Sequence, residues 1–223
     1  MTLPYEDRTQ AGRELAELVR QAVGDRDDLL VLGLPRGGVP VAFEVARALG
    51  APLDLMLVRK LGFPGQEELA MGAIATGGMR VLNDEVVGRG GVDAATIEAV
   101  TRQEQAELRR REWLYRGNRP EVDVAGRCVI LVDDGLATGS TMLAAVRALR
   151  QRQGEEAPGR IVVAVPVAPP ETIASLREEV DELICPATPD QFGGVGRWYR
   201  NFTQTTDEQV RQFLGQAWRR ESA

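Results

Sequence analysis

The chain has 223 residues, 43% of them hydrophobic, enough to bury the core of one domain with an appendage, and a single domain over 1–223 is expected. Lys and Arg number 27 against 33 Asp and Glu, a net charge of −6 with no long basic block, which argues against a nucleic-acid partner. No apolar run reaches the length of a membrane span and the acidic start at Met1 is unlike a signal peptide, so no membrane partner and a cytoplasmic location are expected.

Residues 8–23 read as an amphipathic helix, with Ala11, Leu15, Leu18, Val19 and Ala22 on one face, Asp7 as cap and Gly24 as stop. A buried strand at 29–32 delivers the turn Gly33-Leu34-Pro35-Arg36-Gly37-Gly38 to a helix carrying Val41, Val45, Ala48 and Leu49. Backbone N–H groups freed by Gly37 and Gly38, with the Arg36 guanidinium, would hold a diphosphate. The alternative is a tight glycine turn without a ligand. A third strand at 53–58 ends in Arg59-Lys60 and runs into 61–65, whose glycines and proline predict a flexible loop. Residues 69–82 predict a hairpin turning at Thr76-Gly77-Gly78. Residues 93–116 predict a long helix capped by Asp93, with a thin apolar line of Ile97, Val100, Leu108 and Leu114. Its run Arg109-Arg110-Arg111 is partly paired by Glu107 and reads as a solvated face.

The chain is organised around 128–143. Val129 to Val132 is apolar and mostly β-branched, the mark of a strand buried on both faces. Asp133 and Asp134 end it, and a small-residue turn, 135–140, leads to a helix over 141–150. Unpaired N–H groups and the helix dipole there favour an anion. Gly135 and Gly139 allow a sharp turn and a close approach, and Thr138, Ser140 and Thr141 add hydroxyl donors. Paired carboxylates beside a phosphate cradle make sense if they accept from vicinal hydroxyls, with magnesium nearby. A sugar phosphate fits that description. The alternative is an ordinary strand–turn–helix with capping residues.

Further strands are expected at 160–165 and 181–185, with a helix over 171–179 between them. Strands alternating with helices imply an α/β fold with a mostly parallel central sheet and helices on both faces. Cys128 and Cys185 border apolar runs and read as buried free thiols. The absence of histidine removes His-based triads, His metal sites and the usual general base. A final helix opens at the capping box Thr206-x-x-Gln209 and packs Val210, Phe213, Leu214, Ala217 and Trp218.

The segment 129–141 resembles the phosphoribosyl pyrophosphate-binding motif of the type I phosphoribosyltransferases: four hydrophobics, two acids, then a Thr-Gly-x-Thr phosphate loop. The resemblance covers a core at 25–60 and 120–186; an insertion at 61–119, with its hairpin and long helix, and a hood at 187–223 complete the expected organisation. It implies that Asp133, Asp134, Gly135, Leu136, Ala137, Thr138, Gly139, Ser140 and Thr141 bind the ribose and its 5′-phosphate. It also implies that Arg36, Gly37, Gly38, Arg59 and Lys60 bind the pyrophosphate, the basic pair opening a mobile loop that closes over it. For that pair the alternative is a solvated strand end. Arg36, Lys60, Asp133 and Asp134 are the expected catalytic residues. Magnesium is the implied cofactor, met indirectly by Asp133 and Asp134. In relatives the hood supplies the ring-stacking wall for the acceptor, which assigns Phe192, Trp198 and Tyr199; the alternative is a loop pinned to the core by its aromatics. Ala137 stands where hypoxanthine–guanine enzymes carry an aspartate, which disfavours a 6-oxopurine acceptor. The expected partners are phosphoribosyl pyrophosphate and a small nitrogenous acceptor, as in nucleotide metabolism, with a homodimer left open. Two alternatives to the enzyme are a non-catalytic sensor of phosphoribosyl pyrophosphate or nucleotide, and a subunit of a larger assembly docking through 93–116.

Overall fold

The computed structural model describes residues 3–221; Met1 and Thr2 at the acidic start, and Ser222 and Ala223 at the end of the expected hood, lie outside them. In chain order the elements are α1 (Arg8–Val23), β1 (Leu29–Gly33), α2 (Gly38–Leu49), β2 (Leu53–Leu55), β3 (Val58–Phe63), β4 (Gln66–Ala75), β5 (Arg80–Leu82), α3 (Asp84–Gly90), α4 (Ala94–Arg116), β6 (Cys128–Val132), α5 (Ser140–Arg150), β7 (Arg160–Ala164), α6 (Pro170–Arg177), β8 (Glu182–Ile184) and α7 (Asp207–Glu221).

Side-chain alternation gives the central sheet two buried faces. Val31, Ile130 and Val162 join one core with residues of α1, α2, α4 and α7, while Leu30, Val129, Leu131 and Val163 join the other with residues of α5 and α6. Helices therefore cover both faces of an α/β sheet whose strand order is β2-β1-β6-β7-β8, every pairing parallel. From β1 the chain steps outward to β2, and it later returns to β6 on the other side of β1. The β1–β6 boundary is thus the topological switch point, where open α/β sheets bind ligands beyond the strands' carboxyl ends.

The strand expected at 53–58 is two strands. Met56 N–H makes a last bond to Gly33 O, and Leu57 then bonds Thr76 through both its N–H and its carbonyl. That turns the chain into a second, antiparallel sheet of order β3-β4-β5, which begins at Val58. The flexible loop expected at 61–65 is the end of β3 and its turn. Leu61 is fully buried and Phe63 packs on the same core, so the segment is anchored by side chains that its glycines do not reveal. The hairpin expected at 69–82 is present as β4 and β5; α3, capped by Asn83, is an element that the sequence reading does not contain.

The long helix α4 is bound to the core at its end. Arg116 Nε meets Asp54 Oδ1 at 2.8 Å, both side chains almost fully buried, and its Nη2 donates to Leu55 O. The expected caps form: Asp7 accepts from Gln10 N–H, Asp93 from Thr96 N–H, and Thr206 and Gln209 bond reciprocally. Both cysteines are free thiols, Cys128 buried and Cys185 half-buried.

Candidate active site at the sheet switch point

Two loops leave neighbouring strands at the switch point. The β1 loop, 34–38, enters α2, and the β6 loop, 133–139, enters α5. Neither helix has a side-chain cap: Gly37 precedes α2 and Gly139, in the left-handed region at φ 69°, precedes α5. The first amides are only partly satisfied locally: Ser140 N–H has a long contact to Thr138 Oγ1 at 3.4 Å, and in α2 Gly38 and Val39 donate to Leu34 O and Arg36 O. In α5 Leu143 N–H reaches Gly139 O, so the ladder begins there and the preceding amides have no intrahelical partner. The hydroxyls of Thr138 and Ser140 lie 3.1 Å apart, and Ala137, Thr138, Ser140 and Thr141 are exposed. The loop's back is fixed, since Leu136 N–H donates to Val167 O and Thr172 Oγ1 donates to Ala137 O.

Gly37 and Gly38 let the two loops touch. A Cβ on Gly37 would collide with Asp134 Oδ2, and one on Gly38 would lie 2.7 Å from Val132 O and 2.9 Å from Asp133 Oδ1. Close packing onto the acids is thus what requires glycine. Gly38 N–H is not a free donor, because it bonds Leu34 O. The peptide between Pro35 and Arg36 is cis.

The two acids are not equivalent. Asp134 is buried at 9% exposure, and its Oδ2 accepts from Arg8 Nε at 2.7 Å. Arg8, the first residue of α1, also donates to Thr203 O and lies 4.1 Å over the Phe202 ring. Asp133 is half-buried, and its Oδ1 accepts from Asp134 N–H. Burial, then the neighbouring Asp134, pushes the Asp133 carboxyl well above the usual carboxylate range. Burial raises Asp134 as well, while the Arg8 guanidinium opposes that rise. The paired carboxylates expected to accept from vicinal hydroxyls therefore differ in access, Asp134 being buried and Asp133 half-buried. Arg8 takes Oδ2 of Asp134 and the Asp134 amide takes Oδ1 of Asp133, so each acid keeps an oxygen, and Asp133, the more exposed of the two, is the better placed to accept from a ligand. Arg8 escapes a sequence reading because 126 residues separate the partners.

The basic residues are spread around this centre. Lys60, in β3, lines a cavity of about 130 Å³ shared with Ser140 and Thr141 of α5. Arg59 turns instead to Glu104 of α4, Nη2 to Oε2 2.6 Å. Arg36 leans toward Asp207 of α7 at 3.7 Å, so neither arginine points at the acids here.

Among the three hood aromatics assigned to the acceptor wall, Phe192 lines a groove of about 580 Å³ with Ala137, Pro169 and Arg197. Tyr199 and Trp198 do not form a ring wall. Tyr199 is buried, donates to Asp134 O at 2.6 Å and packs between Tyr5 and Phe202. Trp198 Nε1 donates to Phe192 O, and the backbones of Tyr5 and Trp198 to Arg200 pair. The hydrogen-bonding tips of these rings have partners in the fold: Tyr199 fastens the hood to the acid loop, Trp198 braces the hood internally, and the Tyr5 backbone ties the N-terminal segment to the hood.

No cluster of three or more His, Cys, Asp or Glu residues suited to a metal occurs among the described residues. Magnesium commonly takes one or two carboxylates together with substrate oxygens and water. Asp133 fits that role, and Asp134, committed to Arg8, fits it less well.

The phosphoribosyl transferase domain family model matches residues 4–198. Two Mycobacterium tuberculosis proteins, from strains CDC 1551 / Oshkosh and ATCC 25618 / H37Rv and each named a "Putative phosphoribosyl transferase", are 48% identical over 215 residues. These cover 96% of this chain and 47% of each relative, so the chain spans about half the length of those proteins. The crystal structure of TT1426 from Thermus thermophilus aligns with a TM-score of 0.82 at 43% identity, covering 94% of this chain and 97% of that one.

Proposed function

The chain belongs to the phosphoribosyl transferase domain family, and from that premise we propose that it transfers phosphoribosyl from phosphoribosyl pyrophosphate to a nitrogen nucleophile, releasing pyrophosphate. The observation that carries this reading is the contact of the two loops. A glycine turn of the diphosphate type packs onto a pair of acids of the ribose type, at the sheet position where ligands bind.

In this reading the 5′-phosphate lies at the α5 start against the exposed residues Ala137, Thr138, Ser140 and Thr141, whose hydroxyls and backbone N–H groups would bind it. Asp133 accepts from a ribose hydroxyl. Asp134, fixed by Arg8, shapes the loop and contributes charge from behind. Magnesium, held by Asp133 together with substrate oxygens, would offset the charge of the diphosphate. Arg36 binds the diphosphate after leaving Asp207, and Lys60 meets it from β3 across the cavity that it shares with Ser140 and Thr141. Arg59 reaches the diphosphate only if Glu104 releases it. The acceptor occupies the groove between Ala137 and Phe192. Little covalent work falls to the protein; positioning and charge stabilisation lower the barrier.

A second reading, a sensor that binds without turnover, has one observation in its favour: Arg36 and Arg59 are engaged by Asp207 and Glu104 rather than poised at the acids. A pyrophosphate-release assay over a panel of nucleobases, amines and small heterocycles separates the two. Catalytic release with any acceptor establishes the transferase. Tight binding of phosphoribosyl pyrophosphate with no release across the panel establishes the sensor and defeats the transferase reading.

A further inference from the structure

Helix α4 carries cations to the diphosphate loop, although in sequence they read as a solvated face. Arg110 and Arg111 line a cavity of about 180 Å³ with Arg36, Leu114, Tyr115 and Asp207. The spacing explains the convergence, since Arg110 and Leu114, and Arg111 and Tyr115, stand four residues apart on the helix. The platform is firm. Arg116 is locked into the buried pair with Asp54, and Tyr115, itself buried, donates to Asp207 Oδ1 at 2.6 Å.

The donors are not exhausted by internal partners. Glu107 takes Nε and Nη2 of Arg110 and Nε of Arg111. A guanidinium has five N–H donors, so Nη1 of Arg110 and both Nη groups of Arg111 remain. Arg36 approaches Asp207 only to 3.7 Å, beyond a hydrogen bond. Three guanidinium charges against Glu107 and Asp207 leave 3 − 2 = +1 around the cavity. Arg36 links the cavity to the acid loop through the chain, since its neighbour Gly37 abuts Asp134.

We infer that this cavity binds a multiply charged phosphoryl oxyanion of the diphosphate type, held by Arg36, Arg110 and Arg111. Planar guanidinium groups suit paired phosphoryl oxygens. Asp207 is the internal competitor: the anion takes Arg36 from it on binding. The oxyanion is either the diphosphate of the donor substrate or a free one acting as product or effector. The site shares Arg36 with the transfer site and in that respect rests on the proposed function.

The test is calorimetric titration of inorganic diphosphate, and separately of phosphoribosyl pyrophosphate with magnesium, into the whole chain. The variants are the Arg110→Ala/Arg111→Ala double substitution and Asp207→Asn. Losing charge-assisted bonds should weaken diphosphate binding in the double variant by about tenfold or more. Asp207→Asn should strengthen it, an opposite sign that damage to the fold does not produce. If phosphoribosyl pyrophosphate weakens in parallel in the double variant, the cavity holds the donor's diphosphate; if only free diphosphate weakens, it is a separate effector or product site. Equal diphosphate affinity in the double variant and the parent overturns the inference and leaves the transferase reading standing. So does a parent that binds phosphoribosyl pyrophosphate but no diphosphate at millimolar concentration. A parent that binds diphosphate with the predicted variant pattern, but never phosphoribosyl pyrophosphate, supports this site and removes the proposed donor.

Discussion

Replacing the two adjacent acids by asparagine should move stability in opposite directions. Asp134→Asn removes the counter-charge of Arg8, whose side chain is only 11% exposed. Breaking a buried pair by removing one partner costs about 3–5 kcal/mol. The amide oxygen can still accept from Arg8 Nε, which recovers about 1 kcal/mol. The net loss of roughly 2–4 kcal/mol lowers the thermal midpoint by roughly 5–15 °C for a chain of this size. Asp133→Asn keeps the acceptor for Asp134 N–H and removes a carboxylate whose ionisation is opposed by burial and then by Asp134. The folded proton affinity of Asp133 is raised, so the native state binds more protons than the unfolded state. Its contribution is therefore present below the unfolded value and is lost as pH rises through the folded one. The Asp133→Asn midpoint should exceed that of the parent at pH 8, with the gap closing toward pH 4. Scanning calorimetry across pH 4–8 reads both effects. Midpoints shifted in the same direction by both substitutions at pH 8, or an unchanged Asp134→Asn midpoint, would refute the division of roles.

Three further outcomes follow from the same geometry. Lys60→Ala should lower turnover about 100-fold while the affinity for phosphoribosyl pyrophosphate changes much less, whereas Arg36→Ala should weaken both; equal losses for Lys60→Ala in single-turnover kinetics would remove its transition-state role. Gly37→Ala drives a methyl into the Asp134 carboxylate and should cost about 1–3 kcal/mol in urea unfolding, together with donor affinity; a variant as stable as the parent would show that the loops do not meet as described. Tyr199→Phe removes the donor to Asp134 O and should cost about 1–3 kcal/mol, with unchanged stability counting against the hood's attachment through that bond.

Much of the fold is legible in the sequence because buried parallel strands are short apolar runs. Residues 129–132 are one, and the paired acids and glycines after them mark the ligand end. The helix ends are equally readable, since Asp7, Asp93 and the Thr206 box act through neighbours three residues away. What escapes depends on residues far apart in the chain. Met56 and Leu57 continue the apolar run of β2, and nothing local signals that Leu57 pairs with Thr76 and starts another sheet. Gly37 and Gly38 suggest amides freed for a ligand, whereas their larger role is to admit the acid loop. Arg8 looks like one more charge at the start of an amphipathic helix. Its burial follows from Thr203 and Phe202, which only the folded hood brings to it. Tyr199 carries two compatible sequence readings, and its hydrogen bond to Asp134 O decides for attachment over ring stacking.

The central claim is that Asp133 and the two glycine loops hold phosphoribosyl pyrophosphate at the sheet switch point. The most direct measurement is calorimetric titration of that compound with magnesium into the parent and into Asp133→Asn. Saturable binding in the parent is predicted, weakened about tenfold or more in the variant, since a hydrogen bond to a charged acceptor contributes ~1.5–3 kcal/mol. Equal affinity in both proteins, or no binding to the parent at millimolar concentration, would contradict it.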